Sequence, residues 1–483
     1  MVTRVKGSVW RLGDNHGLVS PKDEGAKGDG VTDDTAAIQA ILDAGRSISG
    51  DPDDVFLISA PLNLNTNFMS AIGNDCTLRN ATDGRFFKVE GLTTAISDID
   101  IQGWRLQSTA AAADDYALDF VNCSRVVVSD LFCQDINSLA VFGRQASGEA
   151  KIITLRDVNG WSHYASARGL DFRACTDIRA RGVNLSIEGV TALGAAALRL
   201  NRESSASLSI DTIMIDQCQF QLFFRGIDTI NFEAGGNAQN IWITDTVFDG
   251  NVEDGALLNP ASTGEIHRIF CNNVWMTANN GRGWRITGSG VVRDVTIQNS
   301  LTLQCAYEGA SLGANGTFIR LLNSRFQSAN QLDTGVNGVT VAGEDCTVRG
   351  CEVGYSHTTA ATTKPIYAMS VAADVLRYRL EDNKLDGSTG GLSVGANAAG
   401  SKLRTARGNE GAVESVTVTV PSSTVAWTNL FPYTLEIHTI GGTVSAIAKN
   451  GTGIGTGSPV ILKPGETVAW TYSAAPTAAG FVL

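Results

Sequence analysis

The chain has 483 residues, 43% of them hydrophobic, which is enough for one very large domain or two to three ordinary ones. Its formal net charge of −12 argues against nucleic acid as the main partner. No stretch approaches the roughly 18–20 apolar residues that a membrane span needs, so we predict no membrane insertion.

The first segment, residues 1–20, shows no structural pattern and predicts an N-terminal arm. It carries charge but lacks the apolar stretch of a secretory signal peptide. The sequence therefore predicts a protein made in a cytoplasm without a signal peptide.

A short helix is predicted next, within the segment GAKGDGVTDDTAAIQAILDAG at 25–45. Thr32 or Asp33 can act as its N-cap, and Gly45 lies just past its last turn. Its apolar residues fall on one stripe, which suits a helix that covers the open end of a stack of coils. We favour this structural role for the acidic residues at its start over metal binding or acid catalysis.

A strand pattern of the form apolar–x–apolar–x–polar-or-Gly then recurs at least eleven times. Most copies are 24 to 28 residues apart, with longer spacings of 35 and 32 where loops are longer. Such strands must stack on one another to bury their apolar face, which predicts an all-β fold, a right-handed parallel β-helix with one coil per repeat. Leucine-rich repeats and propeller blades fit the spacing and the residues less well. The residue closing each copy tolerates turn geometry and is predicted to form a corner: Gly103, Asp130, Asp157, Gly182, Gln217, Asp245, Asn273, Asn299, Asn323, Gly350 and Asp382.

The pattern divides the chain into successive regions. Residues 21–60 hold the capping helix and the first strands, and 61–400 form the parallel β-helix. A polar, glycine-containing linker or final corner follows at 401–412. Residues 413–483 contain short alternating strands separated by GG, NG and PG turns, which predicts a separate small β-sandwich.

The nine cysteines are predicted to be free thiols in the core. They are odd in number and show no metal-ligand spacing. A disulfide between Cys346 and Cys351 is the alternative.

The segment AKGDGVTDDTAAIQAIL resembles the N-terminal helix motif of the pectate-lyase-like β-helix superfamily, which includes bacteriophage tailspikes and polysaccharide depolymerases. The stretch GGTVSAIAKNG, with ILKPGETVAWTYSAAPT after it, resembles the terminal β-modules of phage spike proteins. The resemblance implies a homotrimeric tailspike located in the virion tail. It would attach to a phage tail or baseplate protein through the arm at 1–20. The module at 413–483 would serve trimerisation or glycan binding.

The resemblance also implies binding, and usually cleavage, of a bacterial surface polysaccharide such as capsule or lipopolysaccharide O-antigen. The expected activity is that of an endo-acting depolymerase, a glycoside hydrolase rather than a lyase. A receptor-binding tailspike without cleavage and a carbohydrate-active β-helix enzyme from outside phages are the alternatives. Catalytic carboxylates vary in position between family members, so none is carried over by motif.

Candidate site residues follow from counting along each coil, since residues at equal distance from the corner stack on successive coils. Hydrolysis of a glycan needs two carboxylates. Asp254 and Glu308 lie nine residues past their corners and Asp333 lies ten past, and we predict these three as catalytic. Arg282, at offset nine, and Asp228, at offset eleven, are predicted to bind substrate.

Aromatic residues accompany these charges. Trp284 and Tyr307 are predicted to bind substrate, because both side chains suit stacking on sugar rings. The alternative interpretation is that loops of the solenoid simply carry solvated charges. A site between subunits is a further alternative.

Other clusters were weighed against this one. Two alternative carboxylate clusters are Asp114, Asp115 and Asp119, and Glu188 with Glu203. Among the five histidines, His163 beside Tyr164 is the best of a weak set. No phosphate loop or nucleophile elbow occurs, and no cofactor is implied.

Overall fold

The computed structural model describes most of the chain. The described residues are 17–109, 116–143, 148–194, 196–201, 209–229, 232, 235–327, 329, 335–354, 364–375, 377–394, 404–407, 409, 416–430, 434–456 and 459–482. Most of the predicted arm, residues 1–16, therefore lies outside the described part.

The first element among the described residues is a 3-10 turn (Pro21–Glu24), and the strand β1 (Asp29–Asp33) and the helix α1 (Thr35–Asp43) follow it. Ile38, Ile41 and Leu42 are buried, as the apolar stripe predicts. The position before the helix is Asp34 rather than Thr32 or Asp33, since both predicted caps belong to β1.

The acidic residues at the start of α1 make local hydrogen bonds. Asp33 Oδ1 accepts a bond from the Thr35 N–H at 3.0 Å. The Asp34 carboxylate accepts bonds from the N–H groups of Lys27 and Gly28 at 2.6 and 3.1 Å. These carboxylates therefore have the structural role that the sequence favours.

Two long parallel sheets form the solenoid, and each strand pairs with its counterpart on the next coil. The first sheet has 13 strands among the described residues: β4 (Leu62–Leu64), β7 (Phe87–Glu90), β10 (Leu118–Val121), β12 (Ser138–Phe142), β14 (Arg168–Phe172), β16 (Ala196–Leu200), β19 (Arg225–Asp228), β22 (Ala256–Leu258), β25 (Trp284–Ile286), β28 (Ala310–Leu312), β32 (Val339–Val341), β35 (Tyr367–Val371) and β38 (Gly390–Val394).

The second sheet bends around the corners and has 26 described strands: β1 (Asp29–Asp33), β2 (Ile48–Ser49), β3 (Val55–Ile58), β5 (Ser70–Ile72), β6 (Thr77–Asn80), β8 (Ile96–Gln102), β9 (Arg105–Ser108), β11 (Cys123–Gln134), β13 (Ala150–Ser162), β15 (Cys175–Ile187), β17 (Ile210–Asp216), β18 (Gln219–Gln221), β20 (Asn237–Thr244), β21 (Val247–Asp249), β23 (Glu265–Asn272), β24 (Trp275–Thr277), β26 (Val291–Gln298), β27 (Leu301–Leu303), β29 (Gly316–Thr317), β30 (Arg320–Leu322), β31 (Arg325–Gln327), β33 (Cys346–Arg349), β34 (Glu352–Gly354), β36 (Tyr378–Glu381), β37 (Lys384–Asp386) and β39 (Arg404–Arg407).

All eleven predicted corner residues adopt the left-handed backbone conformation, with φ between 47° and 70°. Asp, Asn and Gly populate this region more readily than other residues, which explains the residue types in the column. The corner prediction is confirmed.

Apolar side chains from both sheets fill the inside of the solenoid. Ile243 on β20 is among them and lines a small apolar cavity of about 10 Å³. All nine cysteines are buried and free, so the Cys346–Cys351 disulfide is absent. The prediction of free core thiols is confirmed.

Parallel pairing extends beyond 61–400 at both ends. At the N-terminal side β1 pairs with β3, and at the C-terminal side β39 pairs with β36. The strand β39 lies within 401–412, the segment predicted as a linker or final corner. The free edge of β36 would otherwise leave backbone N–H and C=O groups unpaired, and β39 forms hydrogen bonds with them.

The C-terminal strands are antiparallel, as predicted for a sandwich. They form two four-stranded sheets, in the orders β40-β47-β42-β45 and β41-β46-β43-β44. Their bounds are β40 (Val416–Val418), β41 (Ala426–Thr428), β42 (Leu435–Ile440), β43 (Thr443–Lys449), β44 (Thr452–Gly455), β45 (Val460–Leu462), β46 (Thr467–Ala474) and β47 (Thr477–Val482).

Candidate functional site

Four charged side chains of alternating sign lie on consecutive rungs at one edge of the 13-stranded sheet. Each directly precedes a glycine, and backbone hydrogen bonds join the rungs. The Gly255 N–H donates to the Arg282 carbonyl at 2.8 Å, and the Gly283 N–H donates to the Glu308 carbonyl at 3.1 Å. We call these four residues the charged ladder: Arg225, Asp254, Arg282 and Glu308.

The glycines explain why the ladder points outward. A Cβ atom on Gly283 would lie 2.5 Å from the Gly309 carbonyl oxygen and would also collide with the Thr302 side chain. The chain therefore turns inward at the glycine, where only hydrogen fits. The residue before it projects to the outside of the sheet.

Arg282 and Glu308 form the most exposed contact within the ladder. Arg282 Nε lies 2.8 Å from Glu308 Oε2, but the N–H does not aim at the oxygen, so the contact is an ion pair rather than an aligned hydrogen bond. The Arg282 guanidinium also lies over the Tyr307 ring, 5.5 Å from its centroid. Cation, carboxylate and aromatic ring thus share one partly open surface.

Asp254 is held more tightly. Its Oδ1 accepts the backbone N–H of Arg282 at 2.8 Å, and its Oδ2 lies 3.5 Å from Arg285 Nη1. Its side chain is 4% exposed, against 13% for Glu308. The two carboxylates therefore differ in their access to a ligand.

Arg225 is the ladder residue nearest the N-terminus, and it also contacts residues outside the ladder. It donates through Nη1 to Asp228 Oδ2 at 3.1 Å and pairs with Glu253 through Nη2. Its guanidinium lies 4.7 Å from the centroid of the Phe224 ring. Asp228 is buried beside it on β19.

The structure brings Asp254, Arg282, Glu308 and Tyr307 together, as the counting from the corners predicts. Asp228 pairs with Arg225, which lies on the rung next to Asp254. Asp333 lies outside the described residues.

Trp284 is placed differently from the prediction. It is the first residue of β25, two positions past Arg282, and its side chain points into the core, where it is 2% exposed. The expectation that it stacks on a sugar is therefore wrong. The reason is that Trp284 belongs to β25, whose alternate residues Trp284 and Ile286 face the core, whereas Arg282 precedes the strand.

Counting from the corners missed Arg225, Glu253 and Arg285. A signal for the first was present in the sequence, because a charged residue followed by glycine recurs at 225, 254, 282 and 308. Glu253 and Arg285 lack such a signal, since they reach the ladder from neighbouring positions of the same strands and turns.

The alternative clusters do not assemble among the described residues. Asp119 is buried on β10, and Asp114 and Asp115 lie outside the described part. Glu188 accepts a hydrogen bond from Ser186 Oγ at 2.9 Å. Its proposed partner Glu203 is not among the described residues.

A buried polar network occupies the same sheet closer to the N-terminus. The Tyr116 hydroxyl donates to Asp171 Oδ2 at 2.5 Å and accepts bonds from Arg168 and Arg173. Burial, reinforced by the charge of Asp171, raises the pKa of Tyr116 to about 12. This network connects the coil of β10 to that of β14, and its carboxylate is fully buried.

No protein-family model matches the chain, and neither does any curated protein sequence. Among solved structures, it is similar to two variants of the tailspike protein of E. coli bacteriophage HK620 in complex with a pentasaccharide. Each is 11% identical with a TM-score of 0.57, and the match covers 96% of this chain and 93% or 94% of the other. The A-module of mannuronan C-5 epimerase AlgE6 from Azotobacter vinelandii is 16% identical, with a TM-score of 0.47 and coverage of 82% and 99%.

The chain has a tailspike-like right-handed β-helix fold. The fold prediction is confirmed in its handedness, its capping helix and its C-terminal antiparallel sheets. Within the described part of this tailspike-like chain, no helix is long and apolar enough to cross a membrane.

Proposed function

We propose that the protein is a phage tailspike that binds a bacterial surface polysaccharide, capsule or O-antigen, and cleaves it as an endo-acting glycoside hydrolase. The observation that supports cleavage is the contact between Arg282 and Glu308 on an open sheet edge beside Tyr307. Glycan binding is supported by the similarity in fold to a tailspike whose structures contain a pentasaccharide.

Glu308 carries the proton transfer in this proposal. It is the more exposed of the two described carboxylates, so water and a glycan reach it more readily than Asp254. Asp254 is the second carboxylate and lies two rungs away, about 10 Å between backbones. That separation is close to the roughly 6.5–9.5 Å of inverting glycosidases. Asp333 is the remaining proposed catalytic residue.

In this proposal, arginine side chains and the ring of Tyr307 bind the glycan. Arg282 can hold a carboxylate or acetyl oxygen of the glycan, and Tyr307 offers a face for a sugar ring. Asp228 acts through Arg225, which it orients.

A receptor-binding tailspike without cleavage is the second candidate. The burial of Asp254 and Trp284 favours it, because both were predicted to face the substrate. Fold alone does not decide between the two functions.

The proposed assembly is a homotrimer attached to the phage tail through the arm at 1–20. Exposed apolar side chains of the sandwich, including Val425, Ile440 and Ile461, support this assembly, since copies of the module could cover them. Light scattering at micromolar concentration tests it, and a monomer mass contradicts it.

The test of cleavage uses capsule and lipopolysaccharide purified from candidate bacterial hosts as probes. Wild-type protein is expected to release fragments whose masses include one added water. Glu308→Gln should keep binding but lose about 10²–10⁴-fold in rate, because an amide cannot transfer the proton. Asp333→Asn tests the remaining carboxylate in the same assay.

Glu352→Gln is the matched control, because Glu352 also pairs with an arginine on the solenoid surface but lies outside the ladder. It should cleave like wild type. Binding by wild-type protein without any fragments favours the receptor-binding candidate. Full activity of Glu308→Gln rules out the ladder as the catalytic site.

A further inference from the structure

Two outward-facing groups of side chains lie on either side of the corner column in the middle of the solenoid. Each group contains three residues in register on successive coils. Strand alternation points them outward, because the residues next to them on each strand are buried. We call them the corner patch, with a first flank before the corners and a second flank after them: Trp242, Phe270 and Thr296, then Val247, Trp275 and Leu301.

The corner patch is poor in charge. The three segments that carry it, 242–249, 270–277 and 296–303, contain no lysine, arginine or glutamate. Their charged residues are Asp245 and Asp249. Exposed aromatic side chains combined with few charges are typical of the centre of a protein–protein interface.

Ion pairs lie on the coils at both ends of the corner patch. Arg181 Nε is 3.4 Å from Asp216 Oδ2 on the N-terminal side, and Arg325 Nε is 3.5 Å from Glu352 Oε2 on the C-terminal side. The patch is thus an apolar centre between polar margins. Protein–protein interfaces have the same arrangement, with a solvated polar rim around a core that excludes water.

The polar groups within the corner patch are already paired with one another. Asn273 Nδ2 donates to Asp245 Oδ1 at 2.7 Å, and the Thr277 hydroxyl donates to Asp249 Oδ1. The indole N–H of Trp275 donates to Asn273 Oδ1 at 3.2 Å. A partner that covers the patch therefore leaves neither carboxylate without a hydrogen bond, which lowers the desolvation cost of docking.

Apolar side chains occupy both flanks on the same coils. Trp242 and Val247 belong to one coil, and Phe270 and Trp275 belong to the next. Copies of the chain related by an axis parallel to the solenoid meet at equal height, so the first flank of one copy meets the second flank of the next. A two-fold contact would bury one flank on both copies and leave the other exposed. A closed ring of at least three copies buries both flanks on every copy.

We propose that the corner patch is the contact between solenoids in the homotrimer, with the first flank of each copy packed against the second flank of its neighbour. The corner column then faces the three-fold axis. Trp242 and Trp275, which are 36% and 47% exposed in the single chain, become buried on opposite flanks. This inference rests on the proposed homotrimer and gives it a contact surface outside the sandwich.

The size of the surface indicates how it acts. With one coil added on either side, the patch extends about 24 Å along the solenoid and about 26 Å around it, on the order of 600 Å². A stable interface buries about 800 Å² on each partner. The solenoid contact therefore stabilises the trimer together with the sandwich rather than alone.

Cysteine cross-linking of the full chain tests which flanks meet. Thr296 and Leu301 lie on one coil but on opposite flanks, and all nine native cysteines are buried. The double variant Thr296→Cys/Leu301→Cys should form covalent trimers on mild oxidation, as measured on a non-reducing gel. Each single variant should run as a monomer, because equal flanks do not meet in a ring. Cross-linked dimers of a single variant, or no cross-links in the double variant, overturn the proposal.

A charge at the centre of the patch provides the second test. Trp275→Asp should raise the concentration at which the trimer dissociates by about 10²-fold, measured by light scattering over a dilution series. Ile152→Asp is the matched control, because Ile152 is also half-exposed on the solenoid but lies outside the patch, and it should assemble like wild type. Thermal melting verifies that both variants are folded.

The outcomes separate this inference from the homotrimer itself. A trimeric wild type together with an equally stable Trp275→Asp trimer overturns the corner patch as the contact and leaves the homotrimer standing. A monomeric wild type overturns both. Equal weakening by Trp275→Asp and Ile152→Asp also overturns the proposal, because the effect would then not be specific to the patch.

Discussion

The parallel solenoid and the C-terminal sandwich obtain their register in different ways. In the solenoid, each strand pairs with a segment 22 to 35 residues away, and left-handed corners recur at one position on eleven successive coils. In the sandwich, β43 and β44 pair antiparallel across the short Asn450–Gly451 turn, whereas the Gly441–Gly442 turn carries the chain from one sheet to the other. Register therefore repeats from coil to coil in the solenoid, while in the sandwich each strand pair has a register of its own.

The interiors differ as well. The solenoid encloses a continuous apolar core that contains eight of the nine cysteines, and the ninth, Cys305, is also buried. The sandwich has no cysteine and leaves several apolar side chains exposed, among them Ile440 and Ile454. A pH change or a substitution that acts on buried side chains should therefore lower the stability of the solenoid far more than that of the sandwich.

Alkaline pH should give the largest difference. Burial raises the pKa of Cys76, Cys133 and Cys305 from 9.0 to about 12, and the other six thiols shift in the same direction. A raised folded-state pKa means that the stability is complete below pH 9 and is lost as the pH rises towards 12. Each thiol contributes about 1.4 kcal/mol per pH unit, so nine thiols reach the order of 10 kcal/mol at pH 10.

Calorimetry at pH 8 and pH 10 under reducing conditions measures this loss. The solenoid transition should move to much lower temperature than the sandwich transition. Equal shifts of both would contradict the comparison.

The next effect is the burial of a charge. Ile243→Asp places a carboxylate against the apolar cavity of the solenoid, which should cost more than about 4 kcal/mol and abolish soluble protein. Ile454→Asp changes an exposed residue of the sandwich and should stay within about 0.5 kcal/mol. Soluble yield and chemical denaturation measure both, and a soluble, stable Ile243→Asp protein argues against the described core.

A smaller effect separates two tryptophans of the solenoid. Trp284→Ala removes a buried indole and should lower the free energy of unfolding by about 3–5 kcal/mol. Trp275→Ala removes one that is 47% exposed and should cost far less. Urea denaturation compares the two. Similar losses would indicate that Trp284 is not in the core.

The smallest effect tests the corners. Gly182 has a φ of 63°, and a Cβ atom there would lie 3.1 Å from Asp157 Oδ1, so Gly182→Ala should cost about 1–2 kcal/mol. Gly453→Ala in the sandwich meets nothing within 4 Å and should be nearly neutral. Melting temperatures of the two variants provide the comparison. A neutral Gly182→Ala would show that the corners do not constrain the register.

The repeated features of the solenoid were predictable from the sequence, while the site was predictable only in part. The corner column was visible because the same backbone conformation selects Gly, Asn and Asp on every coil. Asp254, Arg282 and Glu308 were found because their coils have equal length between corner and sheet. Trp284 was misplaced because counting from the corner does not show which residues of β25 face the core.

The alternating signs of the charged ladder have a consequence for assembly of the stack. If a coil docked onto the next but one, Arg225 would face Arg282 and Asp254 would face Glu308, and like charges side by side are unfavourable. The ladder therefore penalises a skipped coil, an error that the near-identical apolar faces would otherwise tolerate. A charge reversal at Asp254 or Arg282 creates repulsion with both neighbours, and one at Arg225 or Glu308 with a single neighbour. The alternation survives only when all four signs are reversed together.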